Sequence, residues 1–202
     1  MVYPFLVFLR PIVRPLMRVV LAFVVMTTLT SCSSEFLPEF PFSESLNSTS
    51  VFMGDSITKY WSLPDHNVGI GGQTAQEMSN RFSADVLGYG FKRVVILGGT
   101  NDILEKLDLA NVPIYLDNMA TIAESANIEV VLCKLPPIKN HNEQVMSVNQ
   151  AITTLAQSRG FLLVDYFTPM SGHSDYFHSD GIHPNGVGYA VMESTLSEVV
   201  TH

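Results

Sequence analysis

Basic residues and cysteines are both scarce in this chain, and each shortage excludes a class of protein. Its 202 residues include 11 lysines and arginines against 19 aspartates and glutamates, for a net charge of −8. Nucleic acids bind to basic surfaces, so this balance argues against a nucleic-acid partner. Two cysteines are too few for a disulfide framework. The fold therefore depends on an apolar core, and a hydrophobic content of 47% suffices for one globular domain.

Long apolar runs are also missing, apart from residues 19–26 near the N-terminus. This run is too short to span a bilayer, and its flanks are typical of a signal peptide. Three arginines precede it: Arg10, Arg14 and Arg18. The tetrapeptide at 29–32, Leu-Thr-Ser-Cys, resembles the bacterial lipobox, whose cysteine thiol is lipidated and becomes the first residue of the mature protein. We predict a lipoprotein signal peptide over residues 1–31 and a lipid anchor on Cys32.

The predicted anchor would hold the protein at a membrane of the bacterial cell envelope, facing the periplasm or the cell surface, without a spanning helix. An uncleaved N-terminal anchor and a soluble secreted protein are the alternatives, and Met17 is an alternative start to Met1. Residues 32–48 are rich in Ser, Pro and Glu, which predicts a tether that leads to a domain at 49–202. With Cys32 lipidated, no disulfide can form.

Residues 49–200 alternate between short apolar runs and segments with helical periodicity. Five runs rich in Val, Ile and Leu are candidate strands: 50–53, 67–70, 93–98, 128–133 (which contains Cys133) and 161–165. Helices are predicted near 74–87 and 185–200 and, from apolar faces, within 112–123 and 145–156. Asn142 and Asn185 are predicted helix N-caps. The alternation predicts an α/β fold, with a five-stranded parallel sheet and helices on both faces, in a single domain.

Four short motifs follow predicted strands or precede the last helix: Gly54–Ile57 (Gly-Asp-Ser-Ile), Gly69–Gly72 (Gly-Ile-Gly-Gly), Gly98–Asp102 (Gly-Gly-Thr-Asn-Asp) and Asp180–Pro184 (Asp-Gly-Ile-His-Pro). In parallel α/β sheets ligands bind at the carboxyl ends of the strands, so all four motifs are expected at one edge. The first and last supply a serine, a histidine and a carboxylate, which are the side chains of nucleophilic acyl transfer. The pattern therefore favours an acyl-transfer site at this edge.

In this order, the four motifs resemble the SGNH (GDSL) hydrolase family over residues 49–200. The resemblance implies a flavodoxin-like three-layer α/β/α sandwich and a serine-dependent carboxylic ester hydrolase that works through an acyl-enzyme. It also implies a small acyl-ester substrate and no metal or other cofactor. Lipid or short-chain esters are the leading substrates. Acetylated carbohydrates and thioesters remain open, because the same machinery serves them.

The resemblance assigns catalytic roles residue by residue. Ser56 matches the nucleophile, His183 the general base and then acid, and Asp180 the carboxylate that orients the imidazole. The implied oxyanion hole consists of the backbone N–H of Ser56, Gly72 and the side-chain amide of Asn101. Such a hole needs donors that are fixed in advance at the developing charge, which a glycine backbone and a short amide can supply.

Two neighbours of these residues need a separate interpretation. Gly71 is the alternative to Gly72 as a backbone donor. Asp55 and Asp102 are carboxylates beside proposed catalytic residues, and we interpret both as structural groups that accept hydrogen bonds from backbone amides of their loops.

The walls of the substrate pocket are predicted from residues near the motifs. The predicted wall residues are Tyr60, Trp61, Leu135, Pro136, Met170 and Phe177. The first two follow the nucleophile by one helical turn, and the next two follow the fourth predicted strand. Aromatic and apolar side chains fill cores as well as pockets, so core positions are the alternative for each. The sequence contains no long insertion that would predict a lid over the site. This favours small or surface-presented esters.

Two other classes of function compete with ester hydrolysis. Residues 173–183 contain three histidines and two aspartates, which is the composition of a divalent metal site. A metal site would leave Ser56 and Asn101 without a role, so His173 and His178 are expected to be solvated loop residues. A tethered binding module that lost catalysis would show a damaged motif, whereas all four motifs are intact.

Overall fold

The computed structural model describes residues 48–200, so the predicted signal peptide, the anchor at Cys32 and most of the predicted tether lie outside the described residues. Four strands lie in the described range: β1 (Ser50–Gly54), β2 (Arg93–Leu97), β3 (Glu129–Lys134) and β4 (Leu162–Asp165). Its helices are α1 (Ser56–Lys59), α2 (Ala75–Val86), α3 (Thr100–Leu104), α4 (Val112–Ser125), α5 (Asn142–Arg159), α6 (Phe167–Met170) and α7 (Gly186–Val200), with 3₁₀ turns at Leu109–Asn111 and Ser174–Tyr176. None of the helices in this range has both the length and the apolar character to cross a bilayer.

The strands form one parallel sheet in the order β1-β2-β3-β4. All of β1 is buried, and so are the central residues of β2 and β3, because helices cover both faces of the sheet. Cys133 is one of these buried residues, as the sequence predicts, and burial raises the pKa of its thiol to about 12. It therefore behaves as a small apolar group.

One predicted strand is wrong: the segment 67–70 runs parallel to β1 but forms only an isolated bridge, between Asn67 and Phe52. Phe52 donates to the His66 carbonyl (2.9 Å) and accepts from the Val68 N–H (2.9 Å). The Val68 carbonyl accepts from Arg81 and not from β1, and the Asn67 side-chain amide donates to two carbonyls around the end of α1, at 2.6 and 3.0 Å. In the described residues the sheet therefore has four strands and not five, with this segment along its outer edge.

Helices cover the sheet in two layers, which gives the three-layer sandwich. Because β2, β3 and β4 succeed one another in one direction, right-handed crossovers place α4 and α5 on the same face. Contacts of α4 with both α2 and α5 agree with this arrangement, and α7 packs against β4. Most residues of the apolar faces predicted for two helices are buried: Val112, Leu116, Met119 and Ala123 in α4, and Val145, Val148, Ile152 and Ala156 in α5. The other predicted members, Tyr115, Ile122 and Leu155, are half-buried.

The two predicted N-caps have different outcomes. Asn185 caps α7, because its Oδ1 accepts from two backbone N–H groups of the first turn, at 2.9 and 3.1 Å. Asn142 is wrong as a cap: His141 occupies the cap position of α5, and Asn142 accepts from the N–H of Ile138 (3.1 Å). The chain thus enters α5 one residue earlier than the sequence suggests.

Candidate active site

Ser56 is the first residue of α1, directly after the turn that leaves β1 at the carboxyl edge of the sheet. Asp55 caps α1, and its Oδ1 accepts from the N–H of Ile57 at 2.9 Å. Gly54 is needed at the end of β1, because a Cβ there would stand 2.0 Å from Thr58 Oγ1 and 2.8 Å from a carbonyl oxygen of β2. The Gly-Asp-Ser sequence therefore encodes a tight turn that places Ser56 at the sheet edge with 9% of its surface exposed.

The loop before α7 brings His183 and Asp180 to Ser56 across a large distance in sequence. His183 Nε2 lies 2.8 Å from Ser56 Oγ, and His183 Nδ1 lies 2.8 Å from Asp180 Oδ2. Both distances are hydrogen-bond lengths. The serine, histidine and aspartate singled out in the sequence are thus joined in one chain of hydrogen bonds.

Asp180 forms hydrogen bonds both with the backbone of its own loop and with the imidazole ring of His183. Its Oδ1 accepts from the N–H groups of Ile182 (2.9 Å) and His183 (3.0 Å), while Oδ2 faces the imidazole. Partial burial opposes its charge, but the hydrogen bonds from His183 and Ile182 outweigh it and lower the pKa of Asp180 to about 2. The carboxylate is therefore ionised at neutral pH. An ionised carboxylate at Nδ1 favours the tautomer whose Nε2 can accept the Ser56 proton.

The loop that carries His183 is supported from two directions. The N–H of Lys139 donates to the Gly181 carbonyl at 2.9 Å. Gly181 has a φ of +66°, and a Cβ there would stand 2.6 Å from Lys139 Cβ, so only glycine fits. From the other direction, the Tyr60 ring packs edge-on against the His183 imidazole, with 5.6 Å between centroids.

The expected oxyanion donors lie in segments that adjoin Ser56. Asn101 Nδ2 donates to the Gln73 carbonyl at 2.9 Å and lies 3.4 Å from Asp55 Oδ2. These two acceptors are the chain neighbours of Gly72 and Ser56, so the Asn101 amide lies between the two segments that carry the backbone donors. A distance of 3.4 Å is long for a hydrogen bond, which leaves the second amide proton able to bind another acceptor.

The two candidate glycines have different surroundings. A Cβ on Gly71 would stand 3.7 Å from Ser56 Cβ, so Gly71 is the glycine that adjoins the nucleophile side chain. Gly72 has a φ of +81°, a conformation that favours glycine, and a Cβ there would meet nothing within 4 Å. Gly72 therefore borders open space in which a bound group has room.

Both carboxylates beside the site accept from backbone amides; Asp55 does so within its own loop, as the sequence predicts, whereas the partner of Asp102 lies in another segment. Asp102 Oδ2 accepts from the N–H of Ala75 at 2.9 Å and so connects α3 with the start of α2. Asp55 is fully buried, and this burial raises its pKa to about 6 against the opposing effect of the Ile57 hydrogen bond. The turn that presents Ser56 thus contains a carboxyl group whose charge is disfavoured by its surroundings.

The predicted pocket walls require correction. Tyr60 is 59% exposed, but Trp61, Leu135 and Pro136 are buried. Trp61 stacks on Tyr189 of α7, with 5.9 Å between centroids, and packs edge-on against two further aromatic rings of the core. Since α1 is a single turn, Trp61 follows it into the interior. These three residues line neither of the two cavities described below, whereas Tyr60 lines one of them and lies beside His183.

Two cavities flank the loop that carries Asp180 and His183. The first has a volume of about 470 Å³, and its walls include Pro137, Lys139, Asn142, Met170, Phe177, His178 and Gly181. The second has a volume of about 490 Å³, and its walls include Tyr60, His178, Asp180, His183 and Tyr189. Met170 and Phe177, both predicted as wall residues, line the first cavity.

The histidines of this region do not form a cluster. Between residues 48 and 200, no three His, Cys, Asp or Glu side chains come close enough together to hold a metal ion. His173 stacks on Tyr176 with 4.4 Å between centroids. Both His173 and His178 are exposed, as the sequence predicts for solvated loop residues.

Three residues outside the motifs hold this edge together. Asn149 binds both backbone groups of Leu135, with 2.7 Å to its N–H and 2.9 Å to its carbonyl. The Tyr189 hydroxyl donates to the Ile57 carbonyl at 2.8 Å, and Arg81 binds backbone groups around β1. Asn149 could have been identified from the sequence, because it is a polar residue on the apolar face of α5. Arg81 has none.

The fold and the site define a class of protein: α/β proteins with a serine, a histidine and an aspartate at the carboxyl edge of a parallel sheet. Residues 44–191 match the GDSL-like Lipase/Acylhydrolase family, and the chain therefore belongs to this family. It is accordingly an esterase or acylhydrolase, an enzyme that acts on ester bonds.

Solved structures agree with this assignment. A GDSL-like lipase from Bacteroides thetaiotaomicron is 28% identical, with a TM-score of 0.70 over 77% of this chain and 89% of that one. A lipase/acylhydrolase from Enterococcus faecalis is 20% identical (TM-score 0.65, 74% and 93% covered). A carbohydrate esterase family 3 protein from Talaromyces cellulolyticus is 19% identical (TM-score 0.65, 74% and 94% covered). The last two show similarity of fold alone. A search of curated proteins gives no match.

Proposed function

We propose that the protein is a serine-dependent carboxylic ester hydrolase in which Ser56 is the nucleophile, His183 the general base and acid, and Asp180 the group that orients His183. The observation that carries this proposal is the 2.8 Å contact between His183 Nε2 and Ser56 Oγ. A serine hydroxyl is a poor nucleophile unless a base removes its proton, and this contact provides the base. The contact of Asp180 with the opposite ring nitrogen supports the proposal further.

The proposed reaction has two similar halves. His183 Nε2 accepts the Ser56 proton while Oγ attacks the ester carbonyl carbon, and the alcohol then leaves with that proton as the acyl-enzyme forms. Water next gives a proton to His183 and attacks the acyl carbon. Ser56 leaves and regains its proton, and the carboxylic acid is released. Asp180 stabilises the imidazolium that forms in each half.

The proposed oxyanion hole consists of the backbone N–H groups of Ser56 and Gly72 and the amide of Asn101. This assignment is supported by the Asn101 contacts with Gln73 and Asp55, which hold its amide between the two backbone segments. Donors fixed before the reaction stabilise the developing charge without reorganisation, and each typically lowers the activation barrier by about 3–4 kcal/mol.

We propose lipid or short-chain acyl esters as the substrates, with the ester group beside His183 and one substituent in the 470 Å³ cavity, which adjoins the catalytic loop through His178 and Gly181 but is not lined by Ser56 or His183. The apolar wall of Pro137, Met170 and Phe177 supports an acyl chain as this substituent. Lys139 and Asn142 also line this cavity and favour a polar alcohol, so a carbohydrate O-acetyl esterase is the second candidate. Thioesters are a third, because a thiolate leaves through the same steps.

The function is tested with p-nitrophenyl acetate and the Ser56→Ala variant. We expect the purified protein to hydrolyse this ester and the variant to lose the activity with an unchanged far-UV CD spectrum. Turnover retained in the folded variant would contradict the nucleophile assignment. A series of esters with increasing acyl length, acetylated sugars and an acetyl thioester then ranks the candidate substrates by kcat/KM.

We also propose that the enzyme is anchored to a bacterial envelope membrane by lipid on Cys32. The proposal is supported by the order of arginines, apolar run and Leu-Thr-Ser-Cys in residues 10–32. Cys32→Ser should move the protein from the membrane fraction to the soluble fraction. Membrane association that persists in the variant would point to an uncleaved N-terminal anchor instead.

A further inference from the structure

The Arg81 side chain connects three segments at the sheet edge. Its Nη2 donates to the Gly54 carbonyl (3.1 Å), its Nη1 to the Val68 carbonyl (2.7 Å) and its Nε to Gln73 Oε1 (2.5 Å). Nη1 also pairs with Asp85, one turn further along α2, at 2.5 Å. The side chain is only 14% exposed, so these contacts are largely shielded from water.

The groups that Arg81 binds adjoin the proposed oxyanion hole. Gly54 ends β1, two residues before Ser56, and its carbonyl also accepts from the N–H of Ile70 (3.1 Å). Val68 and Gln73 lie on either side of the Gly69–Gly72 motif. One guanidinium therefore spans the motif that carries a proposed backbone donor and fastens both of its ends to the strand that presents the nucleophile.

Close packing at this junction leaves little room for adjustment. A Cβ on Gly69 would stand 2.3 Å from the Lys59 nitrogen and 2.9 Å from the Asp55 carbonyl oxygen, so the motif crosses directly over the Ser56 turn. The Gln73 carbonyl in turn accepts from Asn101, the proposed side-chain donor. A shift of the motif would therefore move two proposed oxyanion donors relative to Ser56.

We propose that Arg81 is a positioning residue for the oxyanion hole, which fixes the Gly69–Gln73 segment against the strand that carries Ser56; this inference rests on the ester-hydrolase function proposed above. Arginine suits the task because its planar fork presents five N–H donors at fixed angles, whereas a lysine ammonium reaches fewer acceptors at once. Arg81 contacts neither His183 nor Asp180 in the described hydrogen bonds, so its effect is expected in oxyanion stabilisation and not in proton transfer.

The test compares Arg81→Met, Arg81→Lys and wild type in the purified full-length protein, with p-nitrophenyl acetate as substrate and phenylboronic acid as a tetrahedral serine adduct. We expect Arg81→Met to lower kcat by roughly 10- to 100-fold, since misplacement by about 1 Å has effects of this size. KM should stay within about threefold, and the boronate inhibition constant should rise with the loss of kcat. Arg81→Lys should recover only part of the rate. The pH dependence of kcat/KM should keep its midpoints.

Arg93→Met is the matched control, because Arg93 also pairs with a carboxylate, Glu129, but lies at the opposite end of β2. It should leave kcat unchanged. If CD shows that Arg81→Met does not fold, Gln73→Met replaces it in the test, because it removes the Nε contact alone. This variant should lower kcat by about threefold and raise the boronate inhibition constant by the same factor. Unchanged kcat in a folded Arg81→Met, or a change in KM alone, would overturn the inference. The proposed function itself is tested separately: it would be contradicted if the Ser56→Ala variant retained esterase activity.

Discussion

Replacing Asp180 by asparagine tests the orientation of His183 with little disturbance of the loop. The oxygen that accepts from the N–H groups of Ile182 and His183 is retained as the amide oxygen. The other oxygen, 2.8 Å from His183 Nδ1, becomes an NH₂ group that donates to the ring. The imidazole then carries its proton on Nε2, which faces Ser56 Oγ. In this tautomer His183 cannot accept the serine proton.

We expect Asp180→Asn to lower kcat about 10³- to 10⁴-fold, which corresponds to about 4–5.5 kcal/mol of barrier. Because the pKa of Asp180 is about 2, the wild-type carboxylate is ionised at every pH used for the assay, and the ratio of rates needs no correction for its titration. The measurement is p-nitrophenyl acetate hydrolysis, with far-UV CD to verify the fold. Asp175→Asn, an exposed aspartate of the same region, is the control and should keep its activity.

The outcome separates two explanations of the site. An Asp180→Asn variant that folds and retains activity within about tenfold of wild type would refute the orientation of His183 by Asp180. Asp180→Ala, which removes both the ring contact and the two backbone contacts, should lose stability as well as activity. A loss of activity in Asp180→Asn that is accompanied by unfolding would mean that the loop contacts, and not the tautomer, dominate.

Asn101→Ala should lower kcat about 10²- to 10³-fold with little change in KM, because it removes a donor to the developing charge; a rise in KM with kcat intact would contradict this role. Asp55→Asn should change how stability depends on pH. The pKa of Asp55 rises from 3.8 to about 6 on folding, so the folded state binds this proton more tightly, and wild-type stability falls by about 3 kcal/mol as pH rises through this window. Relative to wild type, the free energy of unfolding of Asp55→Asn in urea should therefore increase by about 3 kcal/mol between about pH 4 and pH 7. A difference between the two proteins that does not depend on pH would contradict the assignment. Asn149→Leu should lower the free energy of unfolding by about 2–5 kcal/mol, because it leaves both buried backbone groups of Leu135 unpaired. Gln150→Leu, at the exposed neighbouring residue, is its control. Equal losses of unfolding free energy in the two variants would contradict this role of Asn149.

The strand pattern and the chemistry of the site were largely predictable because short motifs encode them. The four strands that form were predicted to within one residue at each end, since runs of Val, Ile and Leu are typical of strands covered on both faces. Asp180 and His183 are three residues apart, so local loop geometry alone brings the carboxylate to the ring. Gly54 and Asp55 likewise determine the Ser56 turn by steric fit and by capping, both local effects.

Three of the six predicted wall residues (Trp61, Leu135 and Pro136) line neither cavity, because neighbours in sequence can point to opposite environments. Tyr60 and Trp61 are adjacent, yet the first is exposed beside His183 and the second is buried against α7. The segment 67–70 has the composition of a strand, but the Val68 carbonyl accepts from Arg81 of α2, and only one isolated bridge to β1 forms. In both cases packing between distant elements overrides the local pattern.

The amino-acid sequence by itself determined the order of strands and helices, the turn at Ser56 and the pairing of Asp180 with His183, because each depends on residues a few positions apart. Only the tertiary structure decided that His183 reaches Ser56 across 127 residues, and that Arg81 joins the Gly69–Gly72 motif to β1. Such contacts depend on how the sheet and its helices pack as whole elements. No local pattern of residues encodes the distances that this packing sets.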